Sequence, residues 1–288
     1  MLKIIIKIVD EDQEDNGFIC GTGSNFGILN LEGVESLEKN IITSPTALSD
    51  GEVYQGQKKQ PRNITIEFEA LNNNRNEEYR DYFVHFLNND KRKKIIVTMN
   101  NTTRKIYGYV TNWSFTNPYI YEPIRVNISL TCPNPLFLNM SDFGKNIASI
   151  NNRFAFPLTI PKNRGVVMGY KSFTKKLNIE NNGDYITGII ILFKAVRGTV
   201  VTPSLTKIST NEFLKVNDTM EKGDTIRIET NLGKKTVFKN DINISNKLTR
   251  DSTYFQVTKG RNIIEYNAEE GYTNLDVYIY YTPTYGGI

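Results

Sequence analysis

The stretch from Arg62 to Leu87 constrains the fold most, because it holds a clean strand followed at once by the one convincing helical pattern in 288 residues. In Asn63-Ile64-Thr65-Ile66-Glu67-Phe68-Glu69 polar and apolar residues alternate, the period of a strand with one wet and one buried face. From Glu77 the period lengthens: Tyr79, Tyr82, Phe83, Phe86 and Leu87 share one face of a helix. That aromatic face needs a sheet to cover. Asn73 or Asn74 is placed to cap the helix start, Glu77 and Glu78 suit the positive end of its dipole, and the basic run Lys91 to Lys94 follows the other end.

Almost everything else reads as strands and turns, which predicts an all-β chain with one helix. Length favours two domains, divided here into 1–145, carrying the helix at about 75–88, and 146–288. With 35 Lys and Arg against 31 Asp and Glu, the formal charge of +4 is too small to imply nucleic-acid or membrane binding by itself. Cys20 and Cys132 alone form no disulfide framework, so folding in a reducing cytoplasm is the simpler expectation, with a single bridge left open. The opening residues Leu2, Ile4, Ile6 and Ile8 alternate with lysines as a strand does, and no long apolar run occurs; neither a signal peptide nor a membrane span is expected.

After the first strand comes an acidic run, Asp10, Glu11, Asp12, Glu14 and Asp15, and then the small-residue stretch Gly17 to Gly27, expected to be a loop or hairpin end. Its Gly21-Thr22-Gly23 departs from dinucleotide-loop spacing, and no helix follows to hold a phosphate. Gly33 to Thr43 is expected to hold a further strand, and Ser49 to Pro61 an extended, mobile connection. Beyond the helix, Ile95 to Met99, Lys105 to Phe115 and Glu122 to Leu130 are strand candidates. Cys132-Pro133-Asn134-Pro135 stops the last of them, because proline cannot join a ladder. Trp113 is expected to pack in a core or on a sheet. From Lys176 short β-branched or aromatic segments recur between Asn-Gly, Lys-Gly and Gly-Asp turns, the spacing of a jelly-roll β-sandwich.

At this point the sequence resembles a known family, the distal tail proteins of long-tailed bacteriophages and related tail-like particles. The first half matches through Asp50-Gly51, Pro61 to Ile66, Phe86-Leu87-Asn88, Tyr107-Gly108-Tyr109-Val110 and Ile128 to Phe137. The second matches through Asn182-Gly183-Asp184, Lys222 to Ile228, Lys259 to Ile264 and Tyr280 to Gly287, in the family's order. The resemblance implies an N-terminal β-sandwich or split-barrel ring domain and a C-terminal galectin-like jelly roll. It also implies a non-enzymatic structural virion protein, usually a hexameric ring at the end of the tail tube. Such a ring, assembled in the bacterial cytoplasm, joins the tube to the baseplate hub and adsorption apparatus. DNA passes through its channel without specific binding, and no cofactor is implied. The rival expectation is a carbohydrate- or receptor-binding module of a tail tip or tail-like bacteriocin.

Candidate chemistry is sparse. His85, the single histidine, lies off the aromatic stripe and reads as a solvated helix residue. No metal-ligand spacing or nucleophile elbow is present. Glu269-Glu270 sit beside Gly271 as exposed turn acids, while a glycosidase pair drawn from distant strands stays open. One hypothesis comes from the charge runs alone: Asp10, Glu11, Asp12, Glu14 and Asp15 of one subunit meet Lys91, Arg92, Lys93 and Lys94 of its neighbour. The long segments between Gly17 and Pro61 are candidate interface arms.

Overall fold

The computed structural model describes residues 3–46, 50–72, 75–116, 122–141, 143–146, 150–151, 170–171 and 176–288. The chain divides into two units, Met1–Met140 with Thr284–Ile288, and Ser141–Pro283. Among the described residues all but one of the principal elements are strands; the exception is the helix expected after Arg62.

In the first unit β1 (Ile4–Asp10), β2 (Gln13–Gly21), β3 (Phe26–Glu32), β4 (Lys39–Pro45), β5 (Glu52–Lys59) and β6 (Arg62–Ala70) precede α1 (Asn76–Leu87). β7 (Lys93–Met99), β8 (Thr102–Phe115), β9 (Arg125–Cys132) and β10 (Phe137–Asn139) follow it. The main sheet runs β2-β1-β7-β8-β9-β6-β3. β8 turns its corner: Thr102 to Gly108 pair with β7, and Tyr109 to Phe115 pair with β9. Only glycine suits position 108, where a Cβ would lie 2.7 Å from the Cys132 sulfur and 3.0 Å from the Thr131 carbonyl oxygen.

The helix lays its stripe over this sheet. Phe83, Phe86 and Leu87 are buried, and Phe83 meets Phe18 edge-on at 5.1 Å, Phe26 at 5.4 Å and Phe68 at 5.4 Å between ring centres. Such aromatic pairs contribute about 0.5–1.5 kcal/mol each beyond area burial. Asn73 and Asn74 lie outside the described residues; the helix is flanked by Arg75, whose side chain makes no capping bond. Asn76 ties the first turn to the segment before β9 instead, donating to the Glu122 carbonyl and accepting from the Ile124 amide.

Two segments expected as loops are strands. β2 runs through the acidic and glycine-rich stretch because Phe18 and Cys20 alternate inward while Gly17 passes so close to Ile8 that a Cβ would sit 2.2 Å from its carbonyl oxygen. Close backbone pairing there overrides a composition that favours turns. β5 likewise occupies the connection before Pro61, paired with β4. Cys20 and Cys132 are both buried and free, and burial pushes their thiols up to about 12 and about 11.

The second unit contains β11 (Phe143–Asn146), β12 (Ile150–Asn151), β13 (Tyr170–Lys171), β14 (Lys176–Asn181), β15 (Ile189–Ala195), β16 (Val200–Lys207), β17 (Glu212–Lys215) and β18 (Thr219–Met220). β19 (Thr225–Glu229), β20 (Thr236–Lys239), β21 (Ile242–Asn243), β22 (Gly260–Glu270) and β23 (Leu275–Tyr281) complete it. One sheet runs β11-β23-β15-β19-β20-β21, another β14-β22-β16-β17 with β18 beside β16. Their inward residues, among them Ile191, Phe193, Leu205, Ile228, Tyr266 and Val277, form one apolar core. Tyr254 to Val257, read as a strand, makes only an isolated bridge from Val257 to Thr187.

A charge cluster pins one edge of this unit. Lys239 Nζ lies 3.1 Å from both Asp218 and Asp224, and Lys247 Nζ lies 2.6 Å from Asp218. Burial pushes the Asp218 carboxyl up, but hydrogen bonds from Lys247 and Lys239 outweigh it and hold the pKa below the ordinary value. Asp224 is held low by the Asn240 amide and the Glu221 backbone N–H. Both folded values are depressed, so the stabilisation is complete above the ordinary aspartate value of about 3.9 and is lost as pH falls through the folded values. Urea midpoints of the full chain should therefore drop in acid from about pH 4 downward, and Asp218→Asn should flatten that drop.

The chain then returns to the first unit as β24 (Thr284–Tyr285), which pairs with β10. Arg62, only 4% exposed, donates to the carbonyls of Pro135, Gly33 and Gly286, and Arg104 donates to that of Gly287. The Arg104 guanidinium stacks 3.7 Å from the Tyr285 ring centre.

Candidate functional site

The acidic and basic runs do meet, but inside one chain. Asp10 ends β1 and Lys93 opens β7, and antiparallel pairing places them opposite each other. Lys93 Nζ donates to Asp10 Oδ1 at 2.6 Å, and neither side chain has any exposed surface. The ammonium also donates to Asn89 Oδ1 at 2.6 Å and to the Phe86 carbonyl at 2.8 Å, so its three protons are all used. That carbonyl is one that the last helical turn leaves unpaired. Lys93 therefore caps α1 and fastens it to β1 in one contact. Asp10 Oδ2 accepts from Asn16 Nδ2 at 2.9 Å and Asn89 Nδ2 at 3.4 Å. Burial draws the Lys93 pKa below its usual value, against the hydrogen bond and charge of Asp10.

A second pair flanks the first. Arg92 Nη1 reaches both oxygens of Glu11, at 3.1 and 3.3 Å, and its guanidinium covers Tyr107 at 4.5 Å. These contacts correct the charge-run hypothesis for four of its residues: Asp10 and Lys93 have no surface to offer a neighbour, and Glu11 and Arg92 already hold each other. Asp12, Asp15 and Lys91 are exposed. Lys94 is half-buried on β7 between Val9 and Tyr107, and Glu14 lies on β2. The burial was legible in the alternation, since Ile6, Ile8 and Asp10 share one face of β1 and Lys93, Ile95 and Val97 one face of β7.

The hairpin of β4 and β5 is the other unusual feature. It pairs with no further strand among the described residues. Ile41 and Ile42, on opposite faces, are 61% and 49% exposed, and Val53 and Tyr54 are 52% and 59% exposed. At its root Lys39 stands opposite Lys59, where burial first and the Lys39 charge second lower the Lys59 pKa. An isolated two-stranded ribbon is marginal in water, and one with apolar residues on both faces has a surface suited to a partner.

Other candidates are less distinctive. His85 is exposed on α1. Trp113 is half-buried and donates to Asn88 Oδ1 at 3.0 Å. The Glu269 carboxyl is held low by hydrogen bonds from Lys215 and Thr202, the opposite of the raised pKa a general acid needs. Among the described residues no group of three or more His, Cys, Asp or Glu could hold a metal ion, and no helix is long and apolar enough to cross a membrane. On the outward face of the six-stranded sheet, Tyr280 lies opposite Ile190, Tyr278 opposite Leu192, and Arg227 between Leu192 and Phe238.

Comparison with known proteins bears on this arrangement. Residues 182–285 match the family model of the siphovirus-type tail component, C-terminal domain. The crystal structure of the Dit protein of phage SPP1, described as a paradigm of the hub adsorption apparatus in phages infecting Gram-positive hosts, superposes with a TM-score of 0.66 at 12% identity, covering 97% of this chain and 98% of that one. A chain of the phage P2 baseplate in its activated conformation with Ca gives 0.54 at 9% identity over 98% of both chains. No curated protein sequence matches. Residues 182–285 thus carry the siphovirus-type tail component domain, and the chain as a whole shares the fold of the SPP1 and P2 proteins.

Proposed function

We propose that copies of this chain form a ring, a hexamer, at the distal end of the tail tube. The ring joins the tube to the baseplate hub and adsorption apparatus around a channel for DNA, which passes without specific contacts. The observation that carries this reading is the likeness to SPP1 Dit along nearly the whole chain, both bodies included. The unpaired hairpin supports it, because a ring needs a surface that only a neighbouring copy completes. In this reading 1–140 with 284–288 forms the ring, and 141–283, galectin-like, docks hub and receptor-binding partners. The protein acts by assembly and docking and carries out no reaction.

Of the charge runs, Asp12, Asp15 and Lys91 are the members we propose for the contact between copies. Lys91→Glu should weaken assembly in low salt and leave the fold intact. Native mass spectrometry with negative-stain imaging of the full chain tests the main reading: a closed six-fold ring is expected, and a monomer at every concentration rejects it.

The outward row of Tyr278, Tyr280 and Arg227 favours a second reading, a carbohydrate- or receptor-binding face on the tail tip. Glycan-array binding by the full chain, lost in Tyr280→Ala, would establish it.

A further inference from the structure

The contacts around Lys93 have a chemical meaning beyond packing, independent of the ring. A primary amine, a carboxamide and a carboxylate lie in mutual reach: Lys93 Nζ is 2.6 Å from Asn89 Oδ1 and 2.6 Å from Asp10 Oδ1, while Asp10 Oδ2 is 3.4 Å from Asn89 Nδ2. The carboxylate thus bridges the nucleophile and the group it would displace. Lys93 and Asp10 are sealed from solvent, and the Phe86 ring covers the amine at 3.8 Å. We propose that Lys93 and Asn89 join in an intramolecular isopeptide bond, with Asp10 as the catalytic carboxylate.

The step balances without oxidant or cofactor. Proton transfer within the Lys93–Asp10 ion pair leaves a neutral amine and a protonated carboxyl. Lys93 Nζ attacks Asn89 Cγ, forming the Nζ–Cγ bond. Asp10 relays the surplus proton from Nζ to Nδ2, the Cγ–Nδ2 bond breaks, and Nδ2 departs as ammonia. Each part of the site suits one requirement. Burial favours the neutral pair, because a low-dielectric surrounding penalises both charges, and it holds the Lys93 pKa below that of a free lysine. The Phe86 carbonyl aims the amine. Asn89 itself is half-buried and lines an open groove with Asn88, Asp90 and Trp113, which gives ammonia a way out. Held neighbours of this kind react with effective molarities of about 10⁵ M or more, enough to let an ordinarily inert amide be displaced. The bond would close a covalent ring over the turn from α1 to β7, making the helix end permanent.

Intact-mass spectrometry of the purified full chain decides the matter. The expected mass is that of the sequence less one ammonia, with a tryptic map in which cleavage after Lys93 is absent and a peptide branched between positions 89 and 93 appears. Lys93→Arg and Asn89→Ala should each restore the full mass; the second changes a half-buried side chain and leaves the Lys93–Asp10 pair in place. A wild-type chain of full mass overturns the proposal. So does an ammonia loss that persists in Lys93→Arg, which would mark an asparagine imide elsewhere, or a loss of water joining Lys93 to Asp10.

Discussion

Measured against the chain in which Lys93 and Asn89 are not joined, Lys93→Met should destabilise the first unit by about 3–5 kcal/mol, because it leaves Asp10 charged, buried and without its cation. A typical domain has only about 5–15 kcal/mol to lose. The methionine is close to isosteric with the lysine stem, so the loss falls on three hydrogen bonds, to Asp10, Asn89 and the Phe86 carbonyl, and not on packing volume. Adding Asp10→Leu should return part of the stability, since removing both charges avoids the uncompensated ion. The return is incomplete because Asn16 and Asn89 each lose a partner as well. Urea unfolding of the three proteins reads both effects. A cost below about 1 kcal/mol for Lys93→Met would show that the pair is not the clamp described here.

Replacing Lys39–Lys59 with a short Gly-Ser linker should abolish the ring proposed above and change the stability of the subunit by less than about 0.5 kcal/mol. The two parts of that expectation come from one fact: among the described residues the hairpin pairs only with itself, and Ile41, Ile42, Val53 and Tyr54 are about half exposed or more. Tyr54→Ala is the gentler version. A buried tyrosine at the centre of a contact contributes about 2 kcal/mol or more, so the dissociation constant between copies should rise by about 30-fold. Analytical ultracentrifugation across a concentration series measures it. Six-fold rings that persist without the hairpin would assign assembly to another surface.

Much of the architecture was legible because it rests on period. The alternation in β6, the aromatic stripe of α1 and the regular turns after Lys176 each reflect one buried face, and a buried face is what sequence records best. β2 and β5 were not legible. Their residues favour turns locally, and they are strands because β1 and β4 supply ladders the sequence does not reveal. β16 was obscured by Pro203 and by Thr202, which adopts φ 51, outside the range of a regular strand. The charge runs were visible as charge, and four of their members, Asp10, Glu11, Arg92 and Lys93, were misjudged as partners between copies when they pair within one chain. Counting like residues found them, but the alternation shared by Asp10 with Ile6 and Ile8 gave the direction in which they point.

The strap of Thr284–Ile288 makes the second body, in topological terms, an insert: the first begins before it and finishes after it. Cutting at the apparent junction near position 140 would remove from the first body the segment that Arg62 and Arg104 clasp. Exchange of 141–283 for another domain with neighbouring ends would spare it. A chain built this way can change what it carries by substitution in its middle, while the first body keeps both of its own borders.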